Sequence, residues 1–169
     1  MKYCLDTSVY TQAHRQYYAF DLAPGFWKSL KSHAEEEILI SPAAALTEIE
    51  KGNDELAKWA KDNRGILFSE PDAKVVESFR QIADFINLRY ESEHWVRLFL
   101  DGADPWVIAH AKAHELIVVT MEGSKGSEEI NPKTKRFHGK VKIPNVCGHF
   151  GVKCISTFEL IRALKIGLG

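Results

Sequence analysis

Leu116-Ile117-Val118-Val119-Thr120 is the stretch that decides the fold, because it is the clearest buried strand in the chain. Its apolar side chains do not alternate with polar ones, which is typical of a strand covered on both faces. Tyr3-Cys4-Leu5 and Ile38-Leu39-Ile40 predict two more strands of this kind, Ile66-Leu67-Phe68 predicts a short one, and Val152 to Ile155 predicts the last. Longer amphipathic stretches separate them, so the sequence predicts an α/β fold with a central parallel sheet.

The stretches between these strands predict helices. From Asp72 the apolar residues recur at three- and four-residue spacing, and apolar character through Phe99 extends this helical region. The other predicted helices run from Pro24 to about Glu36, from an N-cap at Ser41 with Pro42 in the first turn to Gly52, from Asp54 to about Asn63, from Asp104 onward, and from Thr157 to Lys165. The polar stretch from Met121 to Pro144 lacks periodicity, and connections of that length are usually functional or mobile.

Composition indicates an ordinary globular protein, with 169 residues, 45% of them hydrophobic and 27% charged. This length predicts a single domain spanning residues 1–169. The net charge of −1 does not decide for or against nucleic acid, since the placement of charge matters more. No segment is apolar enough for a signal peptide or a membrane span, so we expect a cytoplasmic protein with reduced thiols. For Cys147, His149 and Cys154 we expect plain burial, with a metal site as the alternative.

Four acidic residues occupy comparable places in this layout. Asp6 follows the first strand, Glu48 lies two turns into the helix after the second, Asp104 opens the helix before the central strand, and Glu122 follows that strand. The carboxyl ends of parallel strands share one edge of the sheet, where ligands bind. Clustered carboxylates repel one another and a divalent cation relieves the repulsion. Oxygen ligands alone favour Mg²⁺ or Mn²⁺, ions that can activate water and offset charge at phosphorus.

Each acidic residue also has a simpler explanation. Asp6 could cap a turn, Glu48 could lie on a solvated helix face, Asp104 before Pro105 has the signature of an N-cap, and Glu122 could be an ordinary loop residue. Independent caps need not fall on the same edge of one sheet, so the combination favours a site.

Four segments resemble, in order and spacing, the four motifs of PIN-domain nucleases. They are Leu5-Asp6-Thr7-Ser8-Val9, Thr47-Glu48-Ile49-Glu50-Lys51-Gly52, Asp104 to Ala111, and Val118-Val119-Thr120-Met121-Glu122. The resemblance covers essentially the whole chain. It implies a three-layer α/β/α sandwich with a central parallel sheet.

The resemblance also implies a function, that of a Mg²⁺- or Mn²⁺-dependent nuclease usually acting on RNA. Asp6, Glu48, Asp104 and Glu122 would then be the catalytic and metal-binding residues, and Thr120, with Ser8, would orient a carboxylate or a bound water. Many relatives are toxins of the VapC type, held inactive by a small antitoxin that reaches into the acidic pocket, and many dimerise. We therefore expect a ribonuclease that is the toxin of a toxin–antitoxin pair.

Two departures from the family pattern concern the fourth motif. Its acidic residue is usually Asp, whereas Glu122 carries one more methylene, so that its contact with an ion could run through water. The long stretch that follows replaces a short aspartate-containing segment of the toxins. Asp101, three residues before Asp104, could also substitute as a ligand, although the motif favours Asp104.

A local excess of positive charge lies between residues 125 and 142. Lys125, Lys140 and Lys142 are the candidates for binding the phosphate backbone, and Phe137 and His138 could stack on a base. A solvated, flexible loop is the alternative. The aromatic residues between Tyr17 and Trp27 are expected in the core, with a dimer or antitoxin contact as the next choice.

Three other functions stay open at this point. The chain could be a catalytically weak PIN-like module that binds RNA or a protein, or a housekeeping RNA-processing nuclease. A phosphotransferase of the haloacid dehalogenase type is disfavoured, because that family needs a second Asp two residues after the first and Ser8 stands there.

Overall fold

Five short parallel strands form the centre of the molecule. The computed structural model of the chain covers all 169 residues, Met1–Gly169. The strands are β1 (Tyr3–Leu5), β2 (Leu39–Pro42), β3 (Phe68–Ser69), β4 (Ile117–Val119) and β5 (Cys154–Ile155). They lie in the order β3-β2-β1-β4-β5, and every neighbouring pair is parallel. The chain therefore adds strands on one side of β1 first and on the other side later, which creates a topological switch point between β1 and β4.

Ten α-helices surround this sheet. They are α1 (Thr7–Gln12), α2 (Pro24–Glu35), α3 (Ala43–Glu50), α4 (Glu55–Asp62), α5 (Arg64–Leu67), α6 (Ala73–Arg89), α7 (Glu93–Leu100), α8 (Asp104–His114), α9 (Ile143–Phe150) and α10 (Thr157–Ala163). A π-helical turn, Ala13–Tyr17, continues α1. None of the helices is long and apolar enough to cross a bilayer.

Two hydrophobic cores cover the two faces of the sheet. Alternation along the strands assigns side chains to them: Tyr3 and Leu5 of β1 belong to one core, and Cys4 belongs to the other. Helices α1, α2, α4 and α10 contribute to the first core, and α6, α7, α8 and α9 to the second. The predicted three-layer α/β/α sandwich with a central parallel sheet is confirmed.

The start of the third helix differs from its prediction. Ser41 was expected as an N-cap, but β2 continues through Pro42, which takes the N-cap position itself. The Ser41 hydroxyl is buried and donates to the Leu5 carbonyl at 2.7 Å, while the Tyr10 hydroxyl lies 2.7 Å away. Because these lateral contacts occupy the side chain, it ties β2 to β1 instead of capping a helix.

The predicted long helical region is interrupted at Tyr90, which has extended backbone. Phe137 of the later polar stretch donates its N–H to the Arg89 carbonyl, and its own carbonyl accepts from Glu91. The connection after β4 thus ends α6 by pairing with it, and this contact between distant segments could not be read from local periodicity.

Three helices, α1, α5 and α9, have no counterpart in the sequence prediction. Helix α1 follows β1 directly, at residues for which the sequence predicts no helix, and it is stabilised by burial of Val9 and Tyr10. Helix α9 begins inside the stretch taken as a connection, with Pro144 in its first turn. The third strand is also shorter than predicted, since residues 64–67 are helical and only Phe68–Ser69 pair with β2.

Candidate active site

A polar cavity of about 300 Å³ lies at the carboxyl end of the sheet, at the switch point between β1 and β4. No hydrophobic side chain lines it. Its walls are formed by Asp6, Thr7, Ser8, Thr11, Gln12, Glu48, Asp104 and Glu122. The structure therefore places all four acidic residues of the sequence hypothesis around one cavity.

Asp6 is the most deeply placed of the four, with 4% of its surface exposed. Its Oδ2 accepts hydrogen bonds from the hydroxyls of Ser8 at 2.6 Å and Thr120 at 2.9 Å. The Ser8 hydroxyl accepts a hydrogen bond from the N–H of Met121, and the Thr120 hydroxyl accepts one from the N–H of Glu122. Each hydroxyl therefore donates its single proton to Asp6. The Asp6 side chain does not cap α1. Burial raises the pKa of the Asp6 carboxyl and the Glu48 charge raises it further, while the two hydroxyl bonds oppose the shift.

Glu48 reaches the cavity from α3 and is not on a solvated face. Its Oε1 accepts the backbone N–H of Ala103, at the start of α8, at 2.7 Å. Gly102 makes room for this contact, because a Cβ at that position would lie 3.1 Å from the same oxygen. The junction between α7 and α8 thus fixes the orientation of the Glu48 carboxylate.

Asp104 is the first residue of α8, but its side chain makes no capping hydrogen bond. The simpler explanation of this residue as an N-cap is therefore wrong. Burial, together with the charges of Asp6, Glu122 and Glu48, raises the pKa of Asp104 to about 8, against an opposing effect of Lys140. A carboxyl with this pKa is largely protonated at neutral pH unless a positive charge lies beside it.

Glu122 follows β4 and lines the cavity, and its carboxylate also contacts a helix. Its Oε2 accepts the backbone N–H of Ile143, the first residue of α9, at 2.9 Å. Burial raises the pKa of Glu122, which the Ile143 hydrogen bond and the charges of Lys140 and Lys142 partly oppose.

The donor set matches a hard divalent cation in its chemistry. Carboxylates, hydroxyls and one amide line the cavity, with no His or Cys. In Asp6, Glu48 and Glu122, one carboxylate oxygen accepts a hydrogen bond from the chain and the other oxygen accepts none. Neither carboxylate oxygen of Asp104 accepts a hydrogen bond. As positioned, however, no three His, Cys, Asp or Glu side chains anywhere in the protein form a group that could hold a metal ion. The carboxylates line the cavity but are not gathered around one point.

Two of the three predicted phosphate-binding lysines lie near this cavity. The positive charge of Lys140 lowers the pKa of Asp104, and the Lys140 Nζ lies 5.9 Å from the centre of the Trp95 ring. The positive charge of Lys142 lowers the pKa of Glu122, and the Lys142 Nζ donates a hydrogen bond to the backbone carbonyl of Lys125. The Lys125 side chain is exposed, and only its backbone is tied to this group.

Several other side chains that the sequence analysis considered for binding are engaged within the fold. Phe137 is buried against Tyr90, so it cannot stack on a base. His149 is bonded to Glu128 and forms no metal group with the two cysteines. Of the aromatic residues between Tyr17 and Trp27, Phe26 and Trp27 are core residues as expected, whereas Tyr17 is 48% exposed.

Sequence reasoning missed the contribution of α1 to the cavity. Thr7, Thr11 and Gln12 line it, and the four-residue spacing of Thr7 and Thr11 would have placed those two on one helix face had that helix been predicted. The backbone N–H groups of Ala103 and Ile143 left no signal in the sequence, because they depend on how distant segments meet.

The parallel sheet with helices on both faces has the PIN-like α/β/α fold. Among solved structures, a chain of VapBC2 from Rickettsia felis, crystallised with a DNA fragment from its promoter, matches with a TM-score of 0.50 and 16% identity, over 92% of this chain and 98% of that chain. A chain of DNA-bound VapBC from Salmonella typhimurium gives a TM-score of 0.49 and 14% identity over the same shares. The first of these likenesses confirms the predicted PIN-like fold.

The chain belongs to the family described as "Domain of unknown function (DUF4411)", whose model matches residues 3–168. No curated protein matches the sequence significantly.

Proposed function

We propose that the protein is a Mg²⁺- or Mn²⁺-dependent endoribonuclease that uses Asp6, Glu48, Asp104 and Glu122. The observation that supports this most is the convergence of four carboxylates, from four separate segments, on one polar cavity at the switch point of a parallel sheet. Such a concentration of like charge destabilises the cavity on its own, as the raised pKa of Asp104 indicates. A cation would offset that repulsion.

The chain orients three of the four carboxylates in advance. The hydroxyls of Ser8 and Thr120 hold Asp6 through Oδ2, the Ala103 N–H holds Glu48 through Oε1, and the Ile143 N–H holds Glu122 through Oε2. The remaining oxygens of these groups and both oxygens of Asp104 would hold the ion. When bound, a divalent cation would supply the positive charge that keeps the carboxylates ionised and that polarises a phosphate and a water molecule.

Asp104 has a distinct role in this arrangement. Burial and the charges of the neighbouring carboxylates raise its pKa to about 8, so it takes up a proton near neutral pH in the cation-free cavity. Its side chain is also the least restrained of the four, which leaves it free to turn toward an ion. The side chains of Thr11 and Gln12 at the cavity rim would contact the substrate next to the cleaved phosphate.

A cleavage assay tests the proposal. The protein is incubated with a single-stranded RNA and with DNA of the same sequence, each with Mn²⁺, with Mg²⁺ or with EDTA. We expect cleavage of RNA with either metal and none with EDTA. Asp6→Asn and Asp104→Asn should abolish it, whereas Asp101→Asn, an exposed aspartate three residues earlier, should cut like the wild type. If both site variants still cut RNA, the assignment is wrong.

The assignment as a toxin extends this proposal. It is supported by the fold, shared with a chain of the VapBC2 complex from Rickettsia felis. The partner would be a small antitoxin that covers the acidic cavity, and the toxin would act on cytoplasmic RNA. Growth arrest on expression of the wild type, absent with Asp6→Asn, would support a toxin. A wild type that cuts RNA in vitro and does not slow growth would favour a housekeeping nuclease.

A second candidate is a module that binds RNA or a protein without cutting. One observation favours it: the four carboxylates line the cavity without forming a group of three that could hold an ion. A calorimetric titration with Mn²⁺ distinguishes the two functions. A cutting enzyme should bind Mn²⁺, and Asp6→Asn should weaken that binding. A binding module should bind RNA without binding Mn²⁺, and Asp6→Asn should not change its metal affinity.

A further inference from the structure

We propose that Glu122 is a positioning residue that closes the connection between β4 and α9 and thereby holds Lys140 and Lys142 beside the acidic cavity. This role is separate from any contact of Glu122 with a cation. It rests on the proposed function only in taking RNA as the molecule that the two lysines bind.

The connection spans residues 123–142, and its two ends are joined by two hydrogen bonds. Glu122 Oε2 accepts the N–H of Ile143, and the Lys142 ammonium donates to the Lys125 carbonyl. We call this pair of contacts the neck. It brings together residues 21 and 17 positions apart in sequence, so the connection leaves and rejoins the fold at one place.

The bond to Ile143 is also a helix cap. The first N–H groups of a helix have no partner within it. Lys142 occupies the N-cap position of α9, and its side chain makes no capping hydrogen bond. Pro144 has no backbone N–H, so it needs no partner there. A carboxylate from another element therefore satisfies the N-terminus of α9, where the helix dipole also favours negative charge.

The far side of the connection is anchored independently of Glu122. The Arg136 guanidinium donates to the carbonyls of Asn87, Leu88 and Tyr90 at the end of α6. Glu91 accepts from Asn131 at 2.8 Å and also from the hydroxyl of Thr134. Opening of the neck would therefore loosen residues next to the cavity without unfolding the whole connection.

The length of the Glu122 side chain is what the neck requires. Aspartate is shorter by one methylene, a bond of about 1.5 Å, which moves its oxygens out of hydrogen-bond range of Ile143. Glutamine has the same length and keeps an oxygen that accepts an N–H. Charge and reach can thus be separated by two substitutions: Glu122→Asp keeps the charge, and Glu122→Gln keeps the reach.

The first experiment measures amide hydrogen exchange in the cation-free protein. Exchange at Ile143 should be about tenfold faster in Glu122→Asp than in the wild type, and unchanged in Glu122→Gln. Glu70→Asp, at an exposed glutamate outside the cavity, is the matched control and should not alter exchange at Ile143. Unchanged exchange in Glu122→Asp would overturn the proposal.

The second experiment measures binding of a short single-stranded RNA in EDTA, over a range of salt concentrations. Glu122→Asp should weaken binding, and the slope of log K against log salt should become shallower by about 0.7 for each phosphate that the lysines no longer neutralise. Glu122→Gln should bind at least as well as the wild type, because it removes a negative charge beside the RNA.

A double-mutant comparison shows whether the lysines carry the effect. In a Lys140→Ala/Lys142→Ala background, Glu122→Asp should cause no further decrease in RNA affinity. An equal decrease in both backgrounds would contradict a role through these lysines. A wild type that binds no RNA would instead contradict the proposed function, while the exchange experiment would still decide whether Glu122 closes the neck.

Discussion

Replacing Asp104 with asparagine should stabilise the cation-free protein. A carboxyl whose pKa is raised from 3.8 to about 8 binds its proton more tightly in the folded state than in the unfolded state. Stability contributed by the protonated form is therefore fully present below pH 3.8 and is lost as pH rises toward 8. Each pH unit in this window costs about 1.36 kcal/mol, so the accumulated penalty at pH 7 is at most about 4 kcal/mol.

Part of this penalty is relieved when a neighbouring carboxyl takes up the proton instead, so we expect Asp104→Asn to gain about 1–4 kcal/mol at pH 7. For a chain of this size each kcal/mol raises the melting temperature by about 2–4 °C. Thermal unfolding in EDTA between pH 5 and 9 measures the effect, with Asp101→Asn as the control. The wild type should lose stability relative to Asp104→Asn as pH rises. A variant that is less stable than the wild type at pH 7, or that shows the same pH dependence, would refute the reasoning.

Three further predictions concern other polar contacts. Thr120→Val should lower the free energy of unfolding by about 1–2 kcal/mol in urea, because it removes a bond to Asp6; unchanged stability would contradict this. Gly102→Ala should weaken Mn²⁺ binding about tenfold by calorimetry, since the added Cβ crowds Glu48, and equal affinity would argue against that contact. Burial lowers the pKa of His110 to about 4, so the contribution of His110 to stability should fall by up to about 3 kcal/mol between pH 6.5 and 4; in urea unfolding curves the wild type should lose that much relative to a His110→Leu variant.

The placement of the acidic residues could be predicted because it follows from strand ends. Asp6 and Glu122 come after parallel strands that turned out to be neighbours, and the shared edge of the sheet brings them together. Glu48 and Asp104 lie on helices, and their placement was inferred from motif spacing. The cavity contains all four, but their role in binding a cation stays a prediction.

The features that escaped prediction depend on contacts between distant segments. The sequence of α1 is rich in β-branched and hydroxyl residues with low helix propensity, and burial of Val9 and Tyr10 outweighs that preference. Helix α9 contains Gly148, which argues against a helix, although Pro144 is tolerated in its first turn, and the helix buries Ile143, Val146 and Cys147. In both cases packing against the sheet overrides local propensity.

The hydrogen bonds around the cavity join residues that are far apart along the chain. Asp6 and Thr120 are separated by 114 positions, and Glu48 and Ala103 by 55. Contacts of such long range slow folding, because the entropy of closing the intervening chain must be overcome before they can form. During synthesis the cavity cannot assemble until β4 has left the ribosome and joined β1. Under the proposed nuclease function, the active site is incomplete on the nascent chain, so neither the messenger RNA nor the ribosome is exposed to cleavage before β4 has paired with β1.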